Sequence, residues 1–229
     1  MSDAETPDGT ETPNLSAMLA ARRESILTDL RAAGDADRAA RDRAANRTQR
    51  ETWGVSAETL NETAKALRDE LSVDHRVIIA DALWRAEVFD ARMLACKMMT
   101  QARIRPDDGV WARLTEWVFQ IDCRALSEAA AAAMSRRVMA DLSRLDVVAG
   151  WTDAANPWVR RTALAAATPL AKTNRPTEAE LAARERVIGW IAAMADDARP
   201  VIRQAVDGWL RDLARHDPDR VAAFRETGA

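Results

Sequence analysis

The 229 residues carry 33 basic and 36 acidic side chains, a formal net charge of -3, with 48% apolar residues. The apolar share is enough to bury a core, and the charge excludes polyanion binding by bulk basicity, so any nucleic-acid contact has to come from a local patch. Only Lys65, Lys97 and Lys172 are lysines; the remaining 30 basic residues are arginines, whose planar fork grips carboxylates and phosphates in bidentate fashion.

Residues 1–14, MSDAETPDGTETPN, hold Asp3, Glu5, Asp8 and Glu11 with no Lys or Arg, which leaves the remainder at +1. So acidic a stretch, nearly free of large apolar residues, is expected to be a disordered tail. Residues 15–229 are expected to form a single α-helical domain, because long runs of Ala, Leu, Arg and Glu show no period-2 alternation. Helices are predicted over residues 15–32, 35–49, 56–71, 73–85, 87–104, 108–119, 121–133, 135–148, 156–172, 177–195, 198–214 and 218–227. Breakers punctuate them at Arg105-Pro106-Asp107-Asp108-Gly109, Asn156-Pro157 and Arg175-Pro176. Thr177-Glu178-Ala179-Glu180 after Pro176 reads as a capping box, with a side chain at each end satisfying the other's backbone N–H. Connections of a few residues imply antiparallel neighbours.

No positively charged segment precedes an apolar one at the N-terminus, and the longest apolar run, Val187 to Ala195 with Gly189 inside it, is too short to span a bilayer. The expectation is a soluble, cytoplasmic protein with no membrane partner. Cys96 and Cys123 fall inside apolar stretches and read as reduced core residues. His75 and His216 have no Cys or His at ligand spacing, and the chain shows neither a glycine-rich phosphate loop nor a serine elbow, so no metal or cofactor is expected.

Stacking FDARMLA, IDCRALSEA, WVRRTALAA and VIRQAVDGW on their arginines aligns Arg92, Arg124, Arg161 and Arg203. The intervals of 32, 37 and 42 residues bracket a two-helix solenoid repeat, which would place one arginine per unit along a common face. On the helix opened by Trp158, a packing anchor, Val159, Ala163, Ala166 and Leu170 form the apolar stripe. Arg161 lies off it, in line with Ala165, Thr168 and Lys172, while Arg160 lays its stem over the core edge. Further on, Ile202, Val206, Trp209 and Leu213 make a buried stripe, with Gln204, Gly208, Arg211 and Arg215 on another face. These cationic strips read either as solvated faces or as parts of a phosphate-binding concavity.

Four segments in order, Trp53-Gly54-Val55-Ser56 with the helix after it, LWRAEVFDARMLA (83–95), WTDAANPWVRRTALAA (151–166) and DDARPVIRQAVDGWLRDLARHDP (196–218), resemble the DNA alkylation repair glycosylases of the AlkC/AlkD type. The likeness spans most of residues 15–227. It implies an all-α, HEAT-like helical-repeat solenoid of about six antiparallel helix pairs with a concave face, acting as a monomer. It also implies metal-independent hydrolysis of the N-glycosidic bond of N3- or N7-alkylated purines in duplex DNA. An alkylated purine is cationic and leaves readily, so one carboxylate that steadies the oxocarbenium sugar and places a water suffices.

Asp122 matches the family's catalytic aspartate and Arg161 its DNA-supporting arginine. Lys172, Arg203, Arg211 and Arg215 complete the expected phosphate-binding set. Asp122 also has a second reading as the N-cap of the following helix. The sequence departs from the family where Val118 and Gly208 occupy the usual aromatic positions. Trp117 and Trp209, one residue displaced from them, are candidate lesion contacts if a local bulge returns them to the cleft, and core residues otherwise. The competing functional reading is a non-catalytic HEAT-like module that binds DNA structure or an acidic protein segment.

Overall fold

The computed structural model describes residues 14–226; the expected acidic tail, save Asn14, lies outside them. The described residues form thirteen α-helices and no strand. In order they are α1 (Leu15–Ala32), α2 (Ala36–Asn46), α3 (Ala57–Glu70), α4 (Val73–Trp84), α5 (Phe89–Met99), α6 (Asp108–Trp117), α7 (Arg124–Ala140), α8 (Leu145–Ala149), α9 (Pro157–Ala166), α10 (Thr168–Lys172), α11 (Glu178–Met194), α12 (Pro200–Ala214) and α13 (Pro218–Glu226). Short 3-10 turns at Val118–Gln120 and Leu142–Arg144 follow α6 and α7. No helix among the described residues is long and apolar enough to cross a membrane.

The starts follow local chemistry. Asn14, Asp35, Ser56 and Ser72 each accept a backbone N–H of the first turn they precede. Pro157 and Pro200 take first-turn positions that need no N–H. The predicted capping box forms, with Thr177 and Glu180 bonded reciprocally. Three boundaries differ most from prediction. The helix expected over 87–104 ends at Met99. The break expected near residue 134 is absent: α7 runs on to Ala140, where Asp141 turns the chain by accepting Ser143 N–H at 3.0 Å. The helix expected over 156–172 is interrupted at Ala167, since Pro169 has no N–H to continue the ladder.

Alternate helices pack in two layers, a helical-repeat solenoid in which α3, α5, α7, α9 with α10, and α12 succeed one another along the inner layer. Opposite them stand α1, α4, α6, α8, α11 and α13. The stripe Val159, Ala163, Ala166, Leu170 is buried as expected, as are Ile202, Val206, Trp209 and Leu213. Cys96 and Cys123 are free and buried, and burial pushes the thiols up to about 12 and about 11.

Buried arginines tie neighbouring repeats together. Arg137, with no exposed surface, donates to Gln101 O and Ala102 O beyond the end of α5. Arg184 donates to Leu170 O and Thr173 O at the end of α10 and pairs with Asp217. Each fork thus satisfies carbonyls that a helix end leaves without partners. Asp107 lies between Arg137 at 3.2 Å and Arg144 at 2.7 Å.

Gly54 fixes the entry to α3. Its φ is +76°, and a Cβ there would overlap Asp35 O and lie 2.5 Å from Ala39 N. The flanking Trp53 and Val55 N–H groups are both accepted by the buried carboxylate of Asp90, at 2.7 and 2.8 Å. Gly54→Ala is therefore expected to cost about 3 kcal/mol from backbone strain plus displacement of α2, read by urea denaturation.

A pH dependence follows from Asp107. The Arg144 hydrogen bond holds its carboxyl below the usual carboxylate value, against the opposing effect of burial. Such a group adds stability in full above its unfolded pKa, and the gain is lost as pH falls through the lower folded value. Stability is expected to drop below about pH 4, and Asp107→Asn to lack that share of the acid limb. At neutral pH the variant should be about 3 kcal/mol less stable, because Arg137 and Arg144 lose their shared counter-charge.

Candidate nucleic-acid interface and carboxylate site

The inner layer leaves a continuous groove. Its sections share Thr100, Ala132, Ser135, Pro169 and Lys172, and the largest has a volume of about 600 Å³. Alanines and a serine of α7 floor it, Ala129, Ala132 and Ser135, so the inner helices stand apart with little side-chain bulk between them. Arg68, Lys97, Arg136 and Lys172 line it, against the single carboxylate of Glu128. A chain with a net charge of -3 thus presents a local cationic channel.

Asp122 stands two residues before α7. The N-cap position is held by Cys123 without a side-chain bond, and Ala125 N–H is instead accepted by Asn46 Oδ1 at 3.1 Å. The capping reading of Asp122 is thereby overturned: a distant asparagine serves the helix start. The Asp122 carboxylate is 40% exposed, with Oδ2 2.8 Å from Arg50 Nε. It lies in a depression of about 380 Å³ with Gln49, Arg50, Glu51, Ala86 and Glu87. Glu87 takes a left-handed φ of +59°, uncommon for a residue with a side chain.

The turn before Asp122 is held from beneath. Arg92, 1% exposed, stacks on Trp84 with its guanidinium carbon 4.5 Å from the ring centroid. It donates to Trp84 O and to both the backbone and side-chain oxygens of Gln120. Arg50 donates to the same Gln120 carbonyl at 3.2 Å, and Trp84 Nε1 to the Gln120 side chain at 3.0 Å. Burial, and after it the charge of Arg50, lowers the Arg92 pKa to about 10.

The four arginines aligned in sequence do not share one face, although Arg124 and Arg161 meet at the same Glu128 oxygen. Arg92 is core; Arg124 is exposed and pairs with Glu128; Arg161 is 11% exposed, held by Glu128 at 3.1 Å and Val201 O at 3.3 Å. Arg203 bonds Ala198 O at 2.8 Å. Arg161 sits behind Glu128, one turn beyond Ala165, Thr168 and Lys172, which reach the groove. Arg160 is also nearly buried, paired with Asp197 at 2.7 Å. Lys172 and Arg215 both pair with Asp212, whereas Arg211 is exposed with no ion pair or hydrogen bond among the described residues.

Trp117 and Trp209 are core residues here. Trp117 stacks on Trp84 with centroids 4.7 Å apart and donates to Asp81; Trp209 donates to Ala167 O from the interior. No bulge carries either to the surface, because α6 and α12 keep their buried stripes in register. Sequence reasoning also passed over Arg68, Lys97 and Arg136. Only Lys97 carried a signal, the lysine itself: in this arginine-rich chain all three lysines fall on α3, α5 and α10 of the inner layer.

Comparison with known proteins agrees with this architecture. No curated protein matches the chain. Among solved structures, AlkD2 from Streptococcus mutans aligns with a TM-score of 0.63 at 16% identity, covering 91% of this chain and 89% of its own. The smu.31 protein of Streptococcus mutans UA159 aligns with a TM-score of 0.59 at 20% identity, covering 74% and 82%. At such identities the likeness is one of fold. The model of the DNA alkylation repair enzyme family, however, matches residues 26–228, and the chain belongs to that family.

Proposed function

We propose that the protein binds duplex DNA along the inner groove and hydrolyses the N-glycosidic bond of N3- or N7-alkylated purines at Asp122. The observation that carries the binding is the gathering of Arg68, Lys97, Arg136 and Lys172 around one carboxylate, in a chain acidic overall. Phosphates would replace the water around these cations, with the small side chains of α7 permitting close approach.

The chemistry asks little of the protein. As the C1′–N bond breaks, its electron pair leaves with the cationic base, which departs neutral, and positive charge develops on the sugar. Arg50 holds Oδ2 of Asp122, while Oδ1 has no hydrogen-bond partner among the described residues. That oxygen is placed to face the developing cation and to take the proton of the attacking water. Arg161, bound through Glu128 to α7, is assigned to steadying the strand near this carboxylate.

The second reading, a non-catalytic DNA-binding module, rests on a specific observation: Trp117 and Trp209 are buried and Asp122 is ion-paired. One assay separates the two. With methylated duplex DNA, base release is expected above background, and Asp122→Asn should lower it about 100-fold or more without weakening binding; binding without release would favour the module. Four groove contacts predict a slope of log affinity against log salt of about -3 to -4. The double variant Lys97→Gln with Lys172→Gln should flatten that slope by about 2; an unchanged slope would remove the groove from the binding site.

A further inference from the structure

Phe119 stands out among the aromatic side chains. It is 60% exposed, whereas Phe89 and Phe224 are 5% exposed and none of the eight tryptophans is exposed. A lone surface hydrophobe is ordinary; this one sits on a turn of unusual construction. Val118 and Ile121 point inward with no exposed surface, and Phe119 and Asp122, also three residues apart, point outward. Between them, Gln120 is gripped by Arg50, Arg92 and Trp84 through four hydrogen bonds. Burying Arg92 for this purpose is costly, as its lowered pKa records. The protein thus spends a desolvated cation on fixing the backbone of a three-residue turn that carries an exposed aromatic ring, Phe119, three residues ahead of the exposed carboxylate of Asp122.

Resting on the reading of Asp122 as the reactive carboxylate, we propose that Phe119 is the aromatic contact for the alkylated base and so a specificity-determining residue. An exposed phenyl face attracts a cation through its ring quadrupole and a flat base through stacking. A base alkylated at N3 or N7 is both flat and cationic, whereas an unmodified base is only flat. The ring would therefore favour damaged over normal purines, and its contact weakens as the base departs neutral, which eases release. The turn does in this chain what an aromatic residue further back in α6 cannot, because Trp117 is committed to stacking on Trp84.

The test uses the full chain and two duplexes of one sequence, one containing 7-methyl-2′-deoxyguanosine and one unmodified. Phe119→Ala should reduce the affinity preference for the methylated duplex and the rate of base release, each by about 10-fold. Phe119→Trp should retain both, and Phe119→Leu, which keeps bulk but not the π face, should behave like Phe119→Ala. Because the ring is on the surface, circular dichroism should show all three variants folded. Release and preference unchanged in Phe119→Ala would overturn the proposal, as would Phe119→Leu behaving as wild type. Wild type that prefers methylated duplex yet releases no base would overturn the role of Asp122 alone, with the preference still reading Phe119; failure to bind either duplex would overturn both.

Discussion

The guanidinium of Arg92 is the point on which the site depends. Buried in the core, it needs every donor matched, and from α5 it finds its partners on two other elements: the Trp84 ring and carbonyl at the end of α4, and Gln120 in the turn after α6. A point charge on a flexible stem would not serve. The planar fork fixes directions as well as distances, so α4, α5 and the turn at 118–120 are set in one geometry relative to one another. The same device recurs at Arg137 and Arg184, each reaching carbonyls at the end of a neighbouring helix. In a solenoid, where each unit touches only its neighbours, such cross-repeat ties set the angle from one unit to the next, and with it the width of the groove.

This use of arginine explains how an acidic chain can carry a cationic channel. Many of its arginines are spent internally or against nearby carboxylates: Arg22 with Glu70, Arg144 with Asp107, Arg160 with Asp197, Arg220 with Glu185. The lysines, compact and strongly hydrated, take the opposite role, with Lys97 and Lys172 lining the groove. Two of the three lysines line the groove beside only two of the thirty arginines, Arg68 and Arg136.

The same division marks what could be read from the sequence. Helix starts were legible, because Ser72, Asn156-Pro157 and Thr177 through Glu180 carry local instructions that the fold obeys. The stop of α7 was not, since an alanine run followed by Ser135 contains no breaker and the true end is an Asp141 turn. The arginine alignment showed the repeat but not its meaning: Arg92 and Arg161 hold corresponding places in their helices, yet one is wholly buried and the other pairs with Glu128. Burial of that kind depends on Trp84 and Val201, 8 and 40 residues distant, and no local pattern encodes it. Asp122 was singled out by its match to the family's catalytic aspartate, but whether it caps α7 turned on Asn46, 79 residues from the N–H it accepts.

The proposed function raises the question of why the carboxylate of Asp122 and the exposed ring of Phe119 stand ahead of α7 and not deep in the groove. A groove lined by cations repels a cationic base while it attracts the phosphates that carry it. On the proposed function, the place of Asp122 in a depression flanked by Glu51 and Glu87, three residues after the exposed Phe119, would separate the two tasks: the strand would be held where the charge is positive, and the alkylated base would meet carboxylates and a ring. The left-handed backbone at Glu87 belongs to this arrangement, since it lets the link from α4 to α5 present a carboxylate beside Asp122 while Arg92, directly beneath, stays dry. In that reading the opposite charges of strand and damaged base are met at separate places, the cationic groove and the carboxylate-lined depression, and the spacing between them is set by the packed helices rather than by the ligand.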